Sequence, residues 1–188
     1  MAQPRIEPVT APYEPDVEQQ LAKMMPTGAP PIALFRTFVR NKPMAQAMGS
    51  WGGYELSSQL SLSMRQREIV IDRVTARCGC EYEWGVHVAF FADRVSLTSE
   101  QVRSLTHGDP DDSCWITEES TLISAVDELH DNADVSDETW TQLSRAFTTE
   151  QILDLLLLTG WYHAISFAAN GARVPLEAGA PRFADVLR

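Results

Sequence analysis

REIVIDRVTARCGCEYEWGVH, running from Arg67 to His87, is the stretch that decides the fold. On both sides of Gly79 apolar residues recur at three- and four-residue spacing, the period of a helix buried along one face. Glycine between two such runs permits a turn. The spacing predicts helices over Met64–Arg77 and Cys80–Arg94, able to pack antiparallel.

Outward from this hairpin the punctuation is helical. Ser63 stands three before Gln66, Thr98 three before Gln101 and Thr148 three before Gln151. In each pair the hydroxyl can accept from a free N–H of the first turn while the amide reaches back. Thr117 and Ser136 are further N-cap candidates, and Gly108 and Gly171 suit the position past a helix end. Helices are expected over Pro31–Arg40, Pro43–Leu60, Ser99–His107, Glu118–Asp131, Asp137–Ala146 and Thr149–Asn170. No short run alternates strictly and no Asn-Gly or Asp-Gly turn separates β-rich runs, so the chain reads as all-α. TSEQ at Thr98 and TTEQ at Thr148 are alike through capping chemistry and mark no repeat. HGDPDDSC, from His107 to Cys114, is a loop by composition.

Seven of the eleven prolines lie in the first 31 residues, so residues 1–30 read as an extended arm, interrupted by a short helix near Asp16–Met25. The helical domain then occupies residues 31–188. Ile152–Ala169 is apolar enough to suggest a membrane span, but it carries Asp154 and His163 and reads as a buried helix. The N-terminus lacks the apolar segment of a signal peptide. Among 188 residues, 15 Lys+Arg against 26 Asp+Glu leave a formal charge of −11, which argues against nucleic acid or an anionic membrane as partner. Three cysteines do not make a disulfide framework, and a cytoplasmic location is expected.

Reactive side chains concentrate in the opening stretch. Cys80, Glu83 and His87 fall within roughly 60° of one another on a helix. The helix N-terminus after Gly79 would favour a thiolate on Cys80. If the two helices pack antiparallel, Glu68 meets His87, and an imidazole oriented by a carboxylate beside a thiol suits acid–base work or sulfur nucleophilicity. Bland readings compete: a Cys in an apolar helix is usually core, and a Glu–His pair at i, i+4 is often a solvated contact. A metal held by Cys80, Glu83 and His87 lacks a fourth ligand, and a Cys78–Cys80 disulfide needs non-helical backbone. Cys114, beside Asp111 and Asp112, should be unreactive. His130 in DELH is expected at an exposed helix end, His163 as a satisfied core histidine, and Trp84, Phe90 and Phe91 as core.

With these residues in place, the stretch from Arg65 to Val102 resembles the core of the carboxymuconolactone decarboxylase-like family, which includes the AhpD alkylhydroperoxidases. DELHDNADVSDETW, EQILDLLLLTGWYHAISFAANGARV and LFRTFVRNKPMAQAM extend the resemblance over roughly Pro31 to Val174. It implies an AhpD-like multi-helix bundle, a small-molecule substrate, no metal or organic cofactor, and a homo-oligomer (dimer, trimer or hexamer). The decarboxylase branch works on a lactone acid by acid–base catalysis. The peroxidase branch uses Cys-x-x-Cys with a glutamate and a histidine, and draws on a partner dithiol reductant. The family glutamate falls on Glu68, the first cysteine on Cys80 and the histidine on His87. The second cysteine falls on Glu83 and another histidine on Tyr82, so the usual redox pair is missing. The leading expectation is therefore an acid–base enzyme in which His87 moves the proton, Glu68 tunes it, and Tyr82 or Cys80 donates to a developing enolate. A basic group for an anionic substrate would come from Arg65, Arg67, Arg73 or Arg77. Hydroperoxide reduction through Cys80, with Cys78 or an external thiol as resolving partner, is the alternative, and a binding oligomer without turnover the third.

Overall fold

The computed structural model describes residues 3–187. Among them lie nine α-helices and no strand: α1 Pro15–Met24, α2 Ala33–Phe38, α3 Lys42–Glu55, α4 Met64–Arg77, α5 Glu81–Phe91, α6 Ser99–His107, α7 Thr117–Asn132, α8 Asp137–Ala146 and α9 Thr149–Ala172. All three Ser/Thr–Gln boxes form with both reciprocal bonds. Ser136 caps α8 by accepting from the Thr139 N–H.

α4 is the hub, in contact with α5, α6, α7 and α9. Every residue from Arg67 to Thr75 is buried. A helix buried all round belongs to the centre of a domain, and any charge on it must find a partner there. Arg73 does so as a clamp. Its guanidinium grips Asp127 of α7 in bidentate fashion at 2.7 and 2.6 Å and donates to the carbonyls of Ser104, Leu105 and Gly108 at the end of α6.

The turn after α4 explains the hairpin. Gly79 has φ +59, in the left-handed region that glycine adopts without a Cβ penalty. Its N–H bonds the Ala76 carbonyl and the Cys80 N–H bonds the Thr75 carbonyl, the paired bonds of a Schellman ending. α5 then folds back along α4 and brings position 87 beside position 68. The C-terminal segment crosses α5 at Gly85, where a Cβ would stand 2.7 Å from the Pro181 carbonyl oxygen. Phe183 closes over Trp84 at 5.0 Å between ring centroids.

Several boundaries differ from the sequence reading. α3 stops at Glu55, short of Leu60, because Leu60 and Leu62 turn into the core and the Ser61 N–H and hydroxyl both bond Asp154. The α2 run ends in a 3-10 turn, Val39–Asn41, and α5 is followed by another at Asp93–Val95. Thr117 is the first residue of α7 and not its cap, which is Ile116. α9 runs through Gly171 and ends at left-handed Arg173.

α9 is the one helix among the described residues long and apolar enough to cross a membrane, and half of its most apolar window is buried in the body. Its Asp154 is anchored by the Tyr54 hydroxyl at 2.6 Å as well as by Ser61. The proline-rich arm lies over the same body. Its Arg5 N–H bonds the Ala172 carbonyl at 2.8 Å, its Val9 N–H bonds the Arg36 carbonyl at 3.0 Å, and Leu21 of α1 joins the cluster around Leu34 and Phe38.

Removing the Arg73 clamp should leave Asp127 and three carbonyls without their donor. Arg73→Met is expected to cost about 3–5 kcal/mol, measured by urea unfolding against the parent chain.

Candidate active site

One wall of α5 and one of α9 face a cleft of about 610 Å³ closed by α1, α2 and α3. His87, Glu83, Tyr162, Phe91 and Trp161 line it together with methionines and phenylalanines from the surrounding helices. The lining is largely apolar, so polar groups in it carry orientation and chemistry.

His87 is the centre of those polar groups. Its Nδ1 lies 2.8 Å from Glu68 Oε2, so the approach expected across the α4–α5 hairpin is present. Glu68 is fully buried and does not line the cleft. Its other oxygen, Oε1, takes Arg67 Nε at 2.7 Å and Nη2 at 2.6 Å. Burial alone would neutralise this carboxylate, but His87 and Arg67 outweigh it and hold its pKa below the usual range. Arg67 also stands 5.2 Å from the centroid of Phe91, whose ring stacks on His87 at 5.4 Å.

His87 Nε2 faces two partners. The Tyr162 hydroxyl is 3.1 Å away and Glu83 Oε1 3.6 Å. Burial disfavours a charged ring, but Glu68 and Glu83 together push the His87 pKa up to about 10. The ring is thus an imidazolium at neutral pH, donating from Nδ1 to Glu68 and from Nε2 toward Tyr162 and the cleft. Glu83 Oε2 is buried with no hydrogen-bond partner. Burial and the neighbouring carboxylates hold the Tyr162 phenol protonated. Asp72, one turn beyond Glu68, is also fully buried, and burial followed by the Glu68 charge keeps it neutral. A proton donor, a carboxylate with an unused oxygen and a phenol therefore share one wall.

Two expected members stand elsewhere. Tyr82 turns from the cleft: its hydroxyl donates to Glu177 at 2.7 Å and accepts from the Leu34 N–H at 2.9 Å. It ties the C-terminal segment to α2 and has no free hydrogen for an enolate. Cys80 is the N-cap of α5, fully buried and outside the cleft lining. Burial pushes its thiol up to about 11, outweighing the lowering effect of the Glu83 backbone N–H at the start of α5. The expected thiolate is thus overruled by desolvation. The four arginines offered for an anionic substrate are all committed to carboxylates: Arg65 to Glu119, Arg67 to Glu68, Arg73 to Asp127 and Arg77 to Asp131. Besides the His87 ring, the cleft is lined by Lys23, brought by the arm helix α1.

Phe90 and Phe91, read as core, line the cleft, while Trp84 is core as expected. Tyr162 was missed because it sits inside the most apolar run of the chain. Its signal was a phenol among aliphatic residues, since a buried Tyr hydroxyl needs a partner. Cys80, Glu83 and His87 do not converge as metal ligands. Among the described residues the donor atoms that do are those of Cys78, His130 and His163. His130 is thus not a free helix end; it lies 3.0 Å from His163.

No protein-family model matches the sequence, and no curated protein matches it. Solved structures do. The Bmp8 debrominase, as a cysteine-to-alanine variant in complex with 2,3,4-tribromopyrrole, aligns with a TM-score of 0.76 at 13% identity, covering 97% of this chain and 95% of that one. An uncharacterized peroxidase-related protein from Silicibacter sp. TM1040 gives 0.72 at 15% identity over 97% of this chain and 99% of that one. A protein of unknown function from Agrobacterium tumefaciens, named after the antioxidant defence protein AhpD, gives 0.67 at 19% identity over 75% and 96%. The chain has the AhpD-like all-helical fold, as the resemblance implied.

A folded-state pKa above the ordinary 6.5 means that the His87–Glu68 pair contributes its full stability below that pH and loses it as pH rises through about 10. NMR titration of the His87 ring should show an imidazolium at pH 8. In Glu68→Gln the ring should titrate lower by about two pH units or more, with a flatter dependence of unfolding free energy on alkaline pH.

Proposed function

We propose that this chain is an acid–base enzyme acting on a small, mainly apolar organic acid of the lactone type, with its proton transfers carried by its own side chains. The observation that carries the reading is the His87 ring, held 2.8 Å from buried Glu68 and lining an apolar cleft beside Glu83 and Tyr162.

The chemistry follows from the charges. The side chain of Glu83, which lines the cleft, takes a proton from the carbon next to the substrate carbonyl. The electron pair left behind delocalises onto the carbonyl oxygen, where His87 Nε2–H and the Tyr162 hydroxyl donate to the enolate. Loss of carbon dioxide from an acid conjugated with the same carbonyl would generate the same enolate, which is quenched by a proton at carbon. Glu68 never leaves its salt bridges. It keeps His87 charged until the oxygen needs the proton, and the water-poor apolar walls strengthen each donor. Lys23 at the cleft supplies the positive charge an acid substrate would meet.

The names of the peroxidase-related and AhpD-named neighbours favour a second reading, thiol-dependent hydroperoxide reduction through Cys80. Against it stand a thiol pushed up to about 11, complete burial and a position outside the cleft lining. The tribromopyrrole bound by the debrominase is a small planar ring, which fits an apolar cleft under either reading. Exposed Leu153, Leu157 and Phe167 along α9 support self-association of the chain into a homo-oligomer.

Detritiation or deuterium exchange at the α-carbon of lactone acids, followed by NMR, tests the proposal. Glu83→Gln and His87→Gln are each expected to slow exchange by about 10²–10⁴-fold, Tyr162→Phe by less, and Cys80→Ser to leave it unchanged. Hydroperoxide consumption with a dithiol that disappears in Cys80→Ser would replace this reading with the redox one. A folded protein that binds such acids and exchanges nothing would make it a binding module.

A further inference from the structure

Apart from the cleft, three helices deliver one donor atom each to a single point. Cys78 ends α4, His130 lies in the last turn of α7, and His163 lies midway along α9. The Cys78 sulfur, a nitrogen of His130 and a nitrogen of His163 all lie within 4.8 Å of one another. All three residues are half-buried, and none lines the His87 cleft.

The separations suit a metal ion. His130 Nδ1 and His163 Nε2 are 3.0 Å apart, and Cys78 Sγ is 3.9 Å from His130 Nδ1. Around a tetrahedral zinc ion, with nitrogen at about 2.0–2.1 Å and sulfur at about 2.3 Å, ligand atoms stand about 3.3 Å apart for two nitrogens and about 3.6 Å for nitrogen and sulfur. These two spacings differ from the ideal ones by a few tenths of an ångström, and the third, from Cys78 to His163, lies within 4.8 Å, so side-chain rotation has to close the set.

The supporting contacts are those a metal site needs. His163 Nδ1 lies 2.8 Å from the Thr159 carbonyl, an acceptor, so this nitrogen carries the hydrogen and leaves the Nε2 lone pair toward His130. A backbone carbonyl on the far nitrogen is how ligating histidines are commonly oriented. The Asn170 amide holds the Cys78 carbonyl at 3.1 Å, tying α9 to the α4 end. Arg77, the nearby cation, is neutralised by Asp131 at 2.6 Å and Asp127 at 3.5 Å.

We propose that Cys78, His130 and His163 form a three-ligand site for a borderline-soft divalent cation of the zinc type, its fourth position open to solvent. On binding, Cys78 loses its thiol proton to buffer and a metal–sulfur bond forms. The hydrogen between the two imidazoles leaves His130 Nδ1 for water while His130 Nε2 takes one up from water, so the ring stays neutral and each facing nitrogen gives its lone pair to the ion. No electron changes hands. The ion would pin α4, α7 and α9 together at the end of the hub helix.

Cobalt(II) titration of the full chain, stripped of metal with a chelator, tests this directly. One equivalent should produce a thiolate-to-cobalt charge-transfer band with tetrahedral visible bands, both abolished by an equivalent of zinc. Cys78→Ser should lose the charge-transfer band and His163→Ala should weaken binding at least about tenfold. The double variant Cys80→Ser/Cys114→Ser, in which Cys78 is the remaining thiol, should keep the full spectrum. His87→Ala should keep it too, which separates this site from the cleft. If Cys78→Ser or His163→Ala fails to fold by circular dichroism, protection of Cys78 from alkylation by zinc in the double variant gives the answer. Absence of a charge-transfer band in the folded parent, its survival in folded Cys78→Ser, or unprotected alkylation overturns the proposal.

Discussion

The salt bridges of Glu68 are what the active-site architecture depends on. A carboxylate with no solvent contact at the centre of a helical body costs several kcal/mol unless charge surrounds it. Here two cations do so from opposite oxygens, Arg67 on Oε1 and His87 on Oε2. That arrangement needs Gly79 to turn the chain, α5 to return along α4, and His87 to sit one helix-width from Glu68. Each of these is a fold-level demand made by a single buried charge.

The same constraint shapes the chemistry. Because Glu68 stays ionised, His87 stays charged, and its second nitrogen becomes a donor where the cleft begins. Position 83 then matters more than position 80. Glu83 keeps one oxygen toward the imidazolium and one with no partner, while Cys80, three residues earlier, is sealed under α2 and α9 residues such as Leu34 and Ile165. Two candidates on one helix stripe were separated by burial, which a helical wheel does not contain.

Most of the helix plan was legible along the chain. Capping boxes and apolar periodicity are local, so α4, α6 and α8 start and stop where their sequences say. Errors fell where a tertiary contact overrides local preference. α3 ends early because Asp154, 93 residues beyond Ser61, captures that backbone N–H. Gly171 does not end α9, whose last turns carry carbonyls that receive Arg5 from the arm. Tyr162 and the Cys78–His130–His163 cluster were illegible for a similar reason. Their members are separated by 75, 52 and 33 positions from the groups they meet, and nothing local marks such meetings.

By itself, then, the sequence determined an all-helical chain and a helix–turn–helix at Gly79, because a helix period and a single glycine hinge are short-range facts; the meeting of Glu68 with His87 followed from it only on the condition that the two helices pack antiparallel. Tertiary structure decided which side chains face the cleft, that Cys80 keeps its proton, that Tyr82 serves the C-terminal segment, and that Lys23 joins His87 at the cleft. Those outcomes turn on burial and on neighbours many residues away, and desolvation energies exist only once the helices are packed.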